Sequence, residues 1–178
     1  MAAARRIQDQ NRVVTISPGV FEQVGKATTY SMDLDINGDV GRGFRILANY
    51  AYADSLIDRF RTDGVAQTNG GKRFPQAPKH LSRVWITKSL KVGQESTLNF
   101  SVGGRYVRHY FTNSANTAII PSATTFDGGV GLTRRNYDIS VNFANLLNRE
   151  RYFVSQINST QLYPGPPFNA TLTLRYRF

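Results

Sequence analysis

From Asn169 to Phe178 polar and apolar residues alternate without a break. Ala170, Leu172, Leu174, Tyr176 and Phe178 fall on one face of an extended chain, and Asn169, Thr171, Thr173, Arg175 and Arg177 on the other, because successive side chains of a strand point to opposite sides. The segment is therefore a strand with one apolar and one wet side, and its apolar side ends in two aromatic rings. The same period returns upstream, in Tyr30, Met32, Leu34 and Ile36 and again in Tyr137, Ile139, Val141 and Phe143. No stretch approaches the roughly 18 consecutive apolar residues of a membrane helix. That excludes helical spans but not barrel strands, which hide their hydrophobicity at every second position.

The pattern predicts an all-β chain of about eight strands. The first runs from about Ala2 to Ile16, with its alternation interrupted by Arg5, Arg6, Asp9 and Arg12. The others are expected near Thr28 to Asn37, Phe44 to Ala53, His80 to Leu90, Thr97 to Tyr110, Thr124 to Thr133, Tyr137 to Leu147 and Phe168 to Phe178. Around Val84, Trp85 and Ile86 the facing is ambiguous. The connections alternate long, short, long, short, long, short, long. Tight turns fall at Gly38 to Gly43, where glycine suits positive φ, at Lys91 to Glu95 and at Arg134 to Asn136. Hairpin sandwiches have no reason to keep this asymmetry, whereas outer-membrane barrels have short turns at the periplasmic end and longer loops outside. The expected fold is an antiparallel transmembrane β-barrel segment, a meander with short periplasmic turns and long extracellular loops.

Charge narrows the function classes. The chain carries 22 Lys+Arg against 12 Asp+Glu, a net charge of +10. The basic residues are scattered through turns and alternate strand positions, with no dense run and no basic face interleaved with stacking aromatics. Nucleic-acid binding is disfavoured on that ground, and the charge is read as lumen, rim and loops. There is no cysteine, hence no disulfide framework or thiolate metal site. His80 and His109, the two histidines, lack the spacing of a metal motif. Asp33 and Asp35 share a face and read as polar lining. The glycines of Gly38 to Gly43 do not cradle a nucleotide, because no helix follows them. Gly103-Gly104 lies within a strand and points to a bend or a close approach. No catalytic constellation emerges, and the chain is expected not to be an enzyme. Met1 to Arg12 contains no apolar core of a signal peptide, so the chain is expected to be the C-terminal part of a longer protein rather than a complete small eight-stranded barrel acting as an adhesin or structural protein.

Several stretches carry a resemblance. Asn145-Leu146-Leu147-Asn148-Arg149-Glu150-Arg151-Tyr152-Phe153 resembles the Asn-Leu-Leu-Asp-Lys-x-Tyr segment near the end of TonB-dependent siderophore receptors. Arg73-Phe74-Pro75-Gln76-Ala77-Pro78-Lys79-His80 resembles their Arg-Leu-Pro-x-x-Pro-x-His entry into a late strand. Tyr163-Pro164-Gly165-Pro166-Pro167, with the strand up to Phe178, resembles their last loop and last strand. The order and spacing match along nearly the whole chain. Asn148 stands where the family commonly has Asp, and the strand around Tyr30-Ser31-Met32 lacks the usual Ser-x-Gly, which weakens any transfer of ligand detail.

The resemblance implies residues 1–178 as the C-terminal part of a receptor barrel in the bacterial outer membrane, the plug domain lying upstream. It implies uptake of ferric siderophores energised through TonB, with iron present only as part of the bound chelate and no resident cofactor. Implied partners are also outer-membrane lipid and lipopolysaccharide, and the barrel assembly machinery, which would read Leu174, Tyr176 and Phe178 as an assembly signal. The chelate is often anionic with aromatic or hydroxamate edges. Arginine supplies forked donors, and aromatic faces supply apolar contact with few rotors. The expected ligand contacts are Arg59, Phe60, Arg61, Lys72, Arg73, Phe111 and Tyr163, with Phe74, Tyr110, Tyr152 and Phe153 in the same loops.

Overall fold

The computed structural model describes residues 1–17, 20–58, 61–62, 65–66, 70–154 and 161–178, with side chains at 1–9, 26–58, 70–153 and 161–178. Eight long strands form one antiparallel sheet in chain order: β1 (Ala2–Ser17), β2 (Val20–Gly41), β3 (Phe44–Ile57), β4 (His80–Val92), β5 (Ser96–Val107), β6 (Ala123–Arg134), β7 (Tyr137–Ala144) and β8 (Asn169–Tyr176). Each strand pairs with its sequence neighbours, and β1 and β8 are not paired with each other. Three small hairpins decorate the long connections: Arg61–Thr62 with Val65–Ala66, Tyr110–Phe111 with Ile119–Ile120, and Tyr152–Val154 with Leu162–Pro164.

Register converts the local alternation into two continuous faces. Ile46 lies opposite Ile86, Ile86 opposite Val102, Val102 opposite Gly128, Gly128 opposite Phe143 and Phe143 opposite Ala170. A second row links Leu90, Leu98, Leu132, Ile139 and Leu174. A one-residue slip anywhere would send these groups to the polar side. Among the described residues nothing covers the apolar face: Leu172 and Leu174 are each 69% exposed, and Ile36 and Val102 about half. So wide an apolar surface is a lipid-facing one. The opposite face carries Asn99, Ser101, Arg105, Asp127, Asp138, Thr173 and Arg175, and is the lumen side. Its parity settles β4: Val84 and Ile86 point to lipid, while Arg83 and Trp85 face the lumen, the guanidinium 6.0 Å from the indole centroid.

Gly103 and Gly104 are the close approach foreseen within β5. A Cβ on Gly103 would land on the Trp85 ring, and one on Gly104 would press the Phe126 ring at 3.1 Å. One glycine seats an aromatic on the lumen face and the next seats another on the lipid face. Rings also gather at both strand ends, as in aromatic girdles. Tyr137, Tyr176 and Phe178 cluster by the short turns, with centroids 4.8 and 4.9 Å apart. Tyr50, Tyr52 and His80 cluster by the long loops.

The structure corrects the first connection. A long loop was expected after Ser17, yet β2 starts at Val20 and the ladder with β1 closes at Ser17 opposite Val20. Val20, Phe21 and Val24 are interspersed with Glu22, Gln23 and Gly25, so no alternating face marks this strand; backbone pairing alone extends it. Likewise β3 continues through Asp54-Ser55-Leu56-Ile57, a polar-looking run held by pairing with Ala27 to Tyr30. β5 ends at Val107 rather than Tyr110, and β7 ends at Ala144 rather than Leu147 because Asn145 turns left-handed, with φ of 52°.

The facing predicts that Leu172→Arg, which places a charge on lipid at a cost of about 2–4 kcal/mol, lowers the folded yield of the intact barrel far more than Thr173→Arg; equal yields would contradict it. The two unpaired edges predict that residues 1–178 alone, refolded into detergent, give no heat-modifiable gel shift, since each bare backbone group costs several kcal/mol in hydrocarbon. A protease-resistant, heat-modifiable species would show that β1 and β8 can close on each other.

Candidate functional site

The three long connections, 58–79, 108–122 and 145–168, leave the same end of the sheet and are braced by asparagines in left-handed backbone. Asn145, 3% exposed, is a hub. Its N–H donates to Asp127 Oδ1 at 2.8 Å, and its Nδ2 donates to the carbonyls of Arg149 at 2.9 Å and Pro166 at 3.2 Å. Its Oδ1 accepts from the Arg149 N–H at 2.9 Å. Asn148, with φ of 46°, accepts at Oδ1 from the Phe168 N–H at 2.9 Å. An acceptor oxygen is all that this bond uses, so an aspartate at this position would make it equally well. Asn116 does the same between loops: Nδ2 donates to the Arg73 carbonyl at 2.9 Å and Oδ1 accepts from the Arg73 N–H at 2.8 Å. Asparagine tolerates positive φ better than most residues and offers donor and acceptor at once.

This bracing walls a cleft of about 250 Å³ on the lumen face, beside the loops. Leu81, Arg105 and Val107 form its floor from the sheet, while Pro78, Tyr110, Arg151, Tyr152 and Phe153 come from the loops. A second cleft of about 240 Å³ continues from it past Arg105 and Arg151 to Arg83, Trp85 and Asp127. Gly165 fixes Arg151: its N–H donates to the Arg151 carbonyl at 2.7 Å, and any Cβ there would strike the arginine stem. The Arg151 guanidinium lies 5.1 Å from the Phe153 centroid. Among the described residues its Nε is buried and has no hydrogen-bond partner, an uncommon state for so strong a donor. Three guanidinium groups, Arg83, Arg105 and Arg151, thus converge with one carboxylate, Asp127. Burial pushes the Tyr110 hydroxyl pKa up, against the pull of the Arg105 charge. Tyr152 is held protonated by donating to Glu150 at 3.1 Å, which also raises its pKa. The arrangement suits an anionic ligand with flat or apolar edges. Among the described residues no cluster of His, Cys, Asp and Glu could hold a metal ion.

Of the residues singled out from sequence, Tyr110, Tyr152 and Phe153 line this cleft. Arg59 and Phe60 lie outside the described residues, as does the side chain of Arg61. Lys72 is half-buried and lines neither lumen cleft, and Arg73 binds Asp54 Oδ1 at 2.7 Å. Phe111 pairs with Ile119, and Tyr163 pairs with Phe153 and stays 53% exposed. Leu174, Tyr176 and Phe178 lie together on the lipid face at the short-turn end. Arg83, Trp85, Arg105 and Arg151 went unnamed as ligand contacts. Their signal was lumen parity close to a loop, legible only once the facing of β4 is known.

Residues 2–146 match the family model described as TonB dependent receptor-like, beta-barrel. The chain belongs to this family. The TonB-dependent receptor barrel is an outer-membrane structure, and the sheet described above is part of one. The chain is 26% identical over 187 residues to the probable TonB-dependent siderophore receptor PiuA of Acinetobacter baumannii, covering 99% of this chain and 24% of that protein. It is 25% identical to the ferrichrome outer membrane transporter/phage receptor of Escherichia coli K12, again covering 99% of this chain and 24% of the other. The crystal structure of BauA, the ferric preacinetobactin receptor of Acinetobacter baumannii, superposes with a TM-score of 0.81 at 19% identity over 98% of this chain and 26% of its own. The chain thus spans about a quarter of the length of the curated relatives that it matches.

The asparagine hub yields a contrast between two substitutions. Asn145→Ala strands several buried groups, each costing about 1–3 kcal/mol, and should open residues 145–168 to proteolytic nicking in the folded receptor. Asn148→Asp keeps its acceptor and should leave the nicking rate unchanged. Equal rates for Asn145→Ala and the parent would remove the hub from the account.

Proposed function

We propose that this chain is the C-terminal part of the barrel of an outer-membrane receptor that takes up ferric siderophores, with a plug domain supplied by the rest of the protein and energy delivered through TonB. The observation that carries the reading is Arg151. Its guanidinium lies near Phe153 and lines the same cleft as Arg105, with Tyr110 and Tyr152 beside them. A ferric chelate offers anionic oxygens for the arginines and planar or apolar edges for Tyr110, Tyr152 and Phe153. The iron travels as cargo within the chelate, and no resident cofactor or catalytic step is required. The relatives named as siderophore receptors support the same substrate class. Lys72, Arg73, Phe111 and Tyr163, with Arg59, Phe60 and Arg61, remain candidate contacts in the loops outside the cleft lining. Leu174, Tyr176 and Phe178 present the terminal aromatic face that the barrel assembly machinery would read.

The test is ligand affinity on the intact receptor. Hydrogen bonds to charged groups are worth about 1.5–3 kcal/mol, so Arg105→Gln with Arg151→Gln should weaken ferric siderophore binding by about tenfold or more. Arg135→Gln, at the short-turn end and paired with Glu95, should leave it unchanged. Affinity insensitive to the first pair would remove the cleft as the binding site.

A further inference from the structure

Asp54 lies at the outer end of β3, just past Tyr52, the last β3 residue paired with β4. It shares the lipid-facing parity of Tyr50 and Tyr52 and lines neither lumen cleft. Its carboxylate is nonetheless tied to both ends of a short segment that does line one. Oδ1 accepts from Arg73 Nη1 and Oδ2 from Lys79 Nζ, each at 2.7 Å. The Tyr52 hydroxyl donates to Oδ2 at 3.3 Å, and its ring centroid lies 5.2 Å from Lys79 Nζ. Between the two cations the chain bows out in an arch, Phe74-Pro75-Gln76-Ala77-Pro78. Backbone bonds set its feet on β3: the Phe74 N–H donates to the Ser55 carbonyl and the Ala53 N–H to the Lys79 carbonyl, each at 3.0 Å. Gln76 and Pro78 reach the lumen cleft beside Leu81 and Tyr110.

The arch has few soft dihedrals. Pro75 and Pro78 lock their own φ and restrict Phe74 and Ala77, which precede them, to extended geometry. Gln76 at the crest holds a φ of 57°, an uncommon conformation for a residue with a Cβ. Such a conformation persists only where its surroundings over-determine it. A segment this stiff passes the separation of its ends on to its crest, and one carboxylate gripping both ends sets that separation. The grip is charge-assisted at both oxygens. The carboxylate is 22% exposed and its two partners 38% and 27%, so solvent screens the grip only in part.

The facing wall of the cleft has its own anchor. Arg151, Tyr152 and Phe153 belong to the connection that Asn145 braces through the carbonyls of Arg149 and Pro166. The width of the cleft is the gap between two pieces fixed at different places, one at Asp54 and the other at Asn145.

We infer that Asp54 is a positioning residue for ligand selection: by fixing the span of the 74–78 arch from the outer side of the barrel wall, it sets the width of the lumen cleft and so the bulk of the ferric chelate admitted. The inference rests on the reading of that cleft as a ferric siderophore site. A carboxylate with a purely architectural role would alter the affinity for all chelates alike. One that sets a gap alters the ratio between a slim chelate and a bulky one.

The experiment uses the intact receptor in detergent and two linear ferric trihydroxamates of equal charge. One carries an N-acetylated terminal amine, and in the other a naphthoyl group replaces the acetyl. Wild type should bind the acetyl chelate about tenfold or more tighter, since overpacking a fixed cleft is costly. Asp54→Asn keeps the shape, drops the charge and should cut that ratio by about fivefold or more. Asp54→Glu, which retains a carboxylate, should keep most of it. Lys79→Gln releases one foot of the arch and should also lower the ratio; it serves where Asp54→Asn fails to fold. Nitroxides on Ala77→Cys and Arg149→Cys give a readout without ligand: pulsed EPR should show one narrow distance in the otherwise wild-type receptor and a broader or longer one with Asp54→Asn. A ratio unchanged in both Asp54→Asn and Lys79→Gln, equal weakening of the two chelates, or a distance indifferent to the carboxylate would each overturn the inference. Equal binding of the two chelates by wild type would overturn it as well and leave the siderophore reading intact. Binding of neither chelate by wild type would sink the siderophore reading, while the nitroxide distance would still decide whether Asp54 sets the gap.

Discussion

The backbone ladder governs everything else in this structure. In hydrocarbon each N–H and C=O must find a protein partner, and a sheet in chain order satisfies them strand by strand. Once pairing is obligatory, the two faces follow from register, and register follows from the apolar row that must meet lipid. Leu90, Leu98, Leu132, Ile139 and Leu174 are level with one another because any slip would carry them inward and bring Arg105 or Arg175 out. The fold needs no packed interior to choose its register. Among the described residues the buried apolar side chains are Ala27, Ile57 and Ile120, and none of them belongs to the two apolar rows.

The glycine pair of β5 shows how two solvents can be served by consecutive positions. On the lumen side Gly103 admits the indole of Trp85, which in turn supports Arg83 near the ligand cleft. On the lipid side Gly104 admits the edge of Phe126. Without side chains at these two positions, one strand seats a ring on each of its faces. The cost is a weaker strand, offset by β4 and β6 pairing along nearly its whole length.

Much of this was legible in the residues. Alternation located most of the strands, β1 and β4 carrying it least clearly, and the Gly41-Arg42-Gly43 and Arg135-Asn136 turns separated one rim from the other. What escaped had a physical cause in each case. The outer half of the β1–β2 hairpin and the last residues of β3 carry no apolar face, so their ladder left no trace in hydropathy. Trp85 lies between two β-branched residues and could face either way until its partners were known. The role of Asn145 rests on four hydrogen bonds to groups up to 21 residues away, and nothing local announces them. Arg73 is a loop arginine whose guanidinium meets Asp54 and whose backbone meets Asn116, pairings across 19 and 43 positions that no local pattern shows. Arg151 was passed over as one charge in a run of charges; Gly165, fourteen positions on, is what aims it.

The clasp between Asn116 and Arg73 has a mechanical consequence. The amide makes paired bonds to one residue of the neighbouring connection, and the Gln76 N–H adds a third by donating to the Phe111 carbonyl at 2.8 Å. Two connections that are separate in sequence are therefore one lid in space, sharing a single stiffness. A displacement of residues 108–122 drags 70–79 with it. Since Gln76, Pro78, Tyr110, Ile120 and Pro121 of this shared piece all wall the lumen cleft, that wall shifts as one body, as a door swings on its hinge pin.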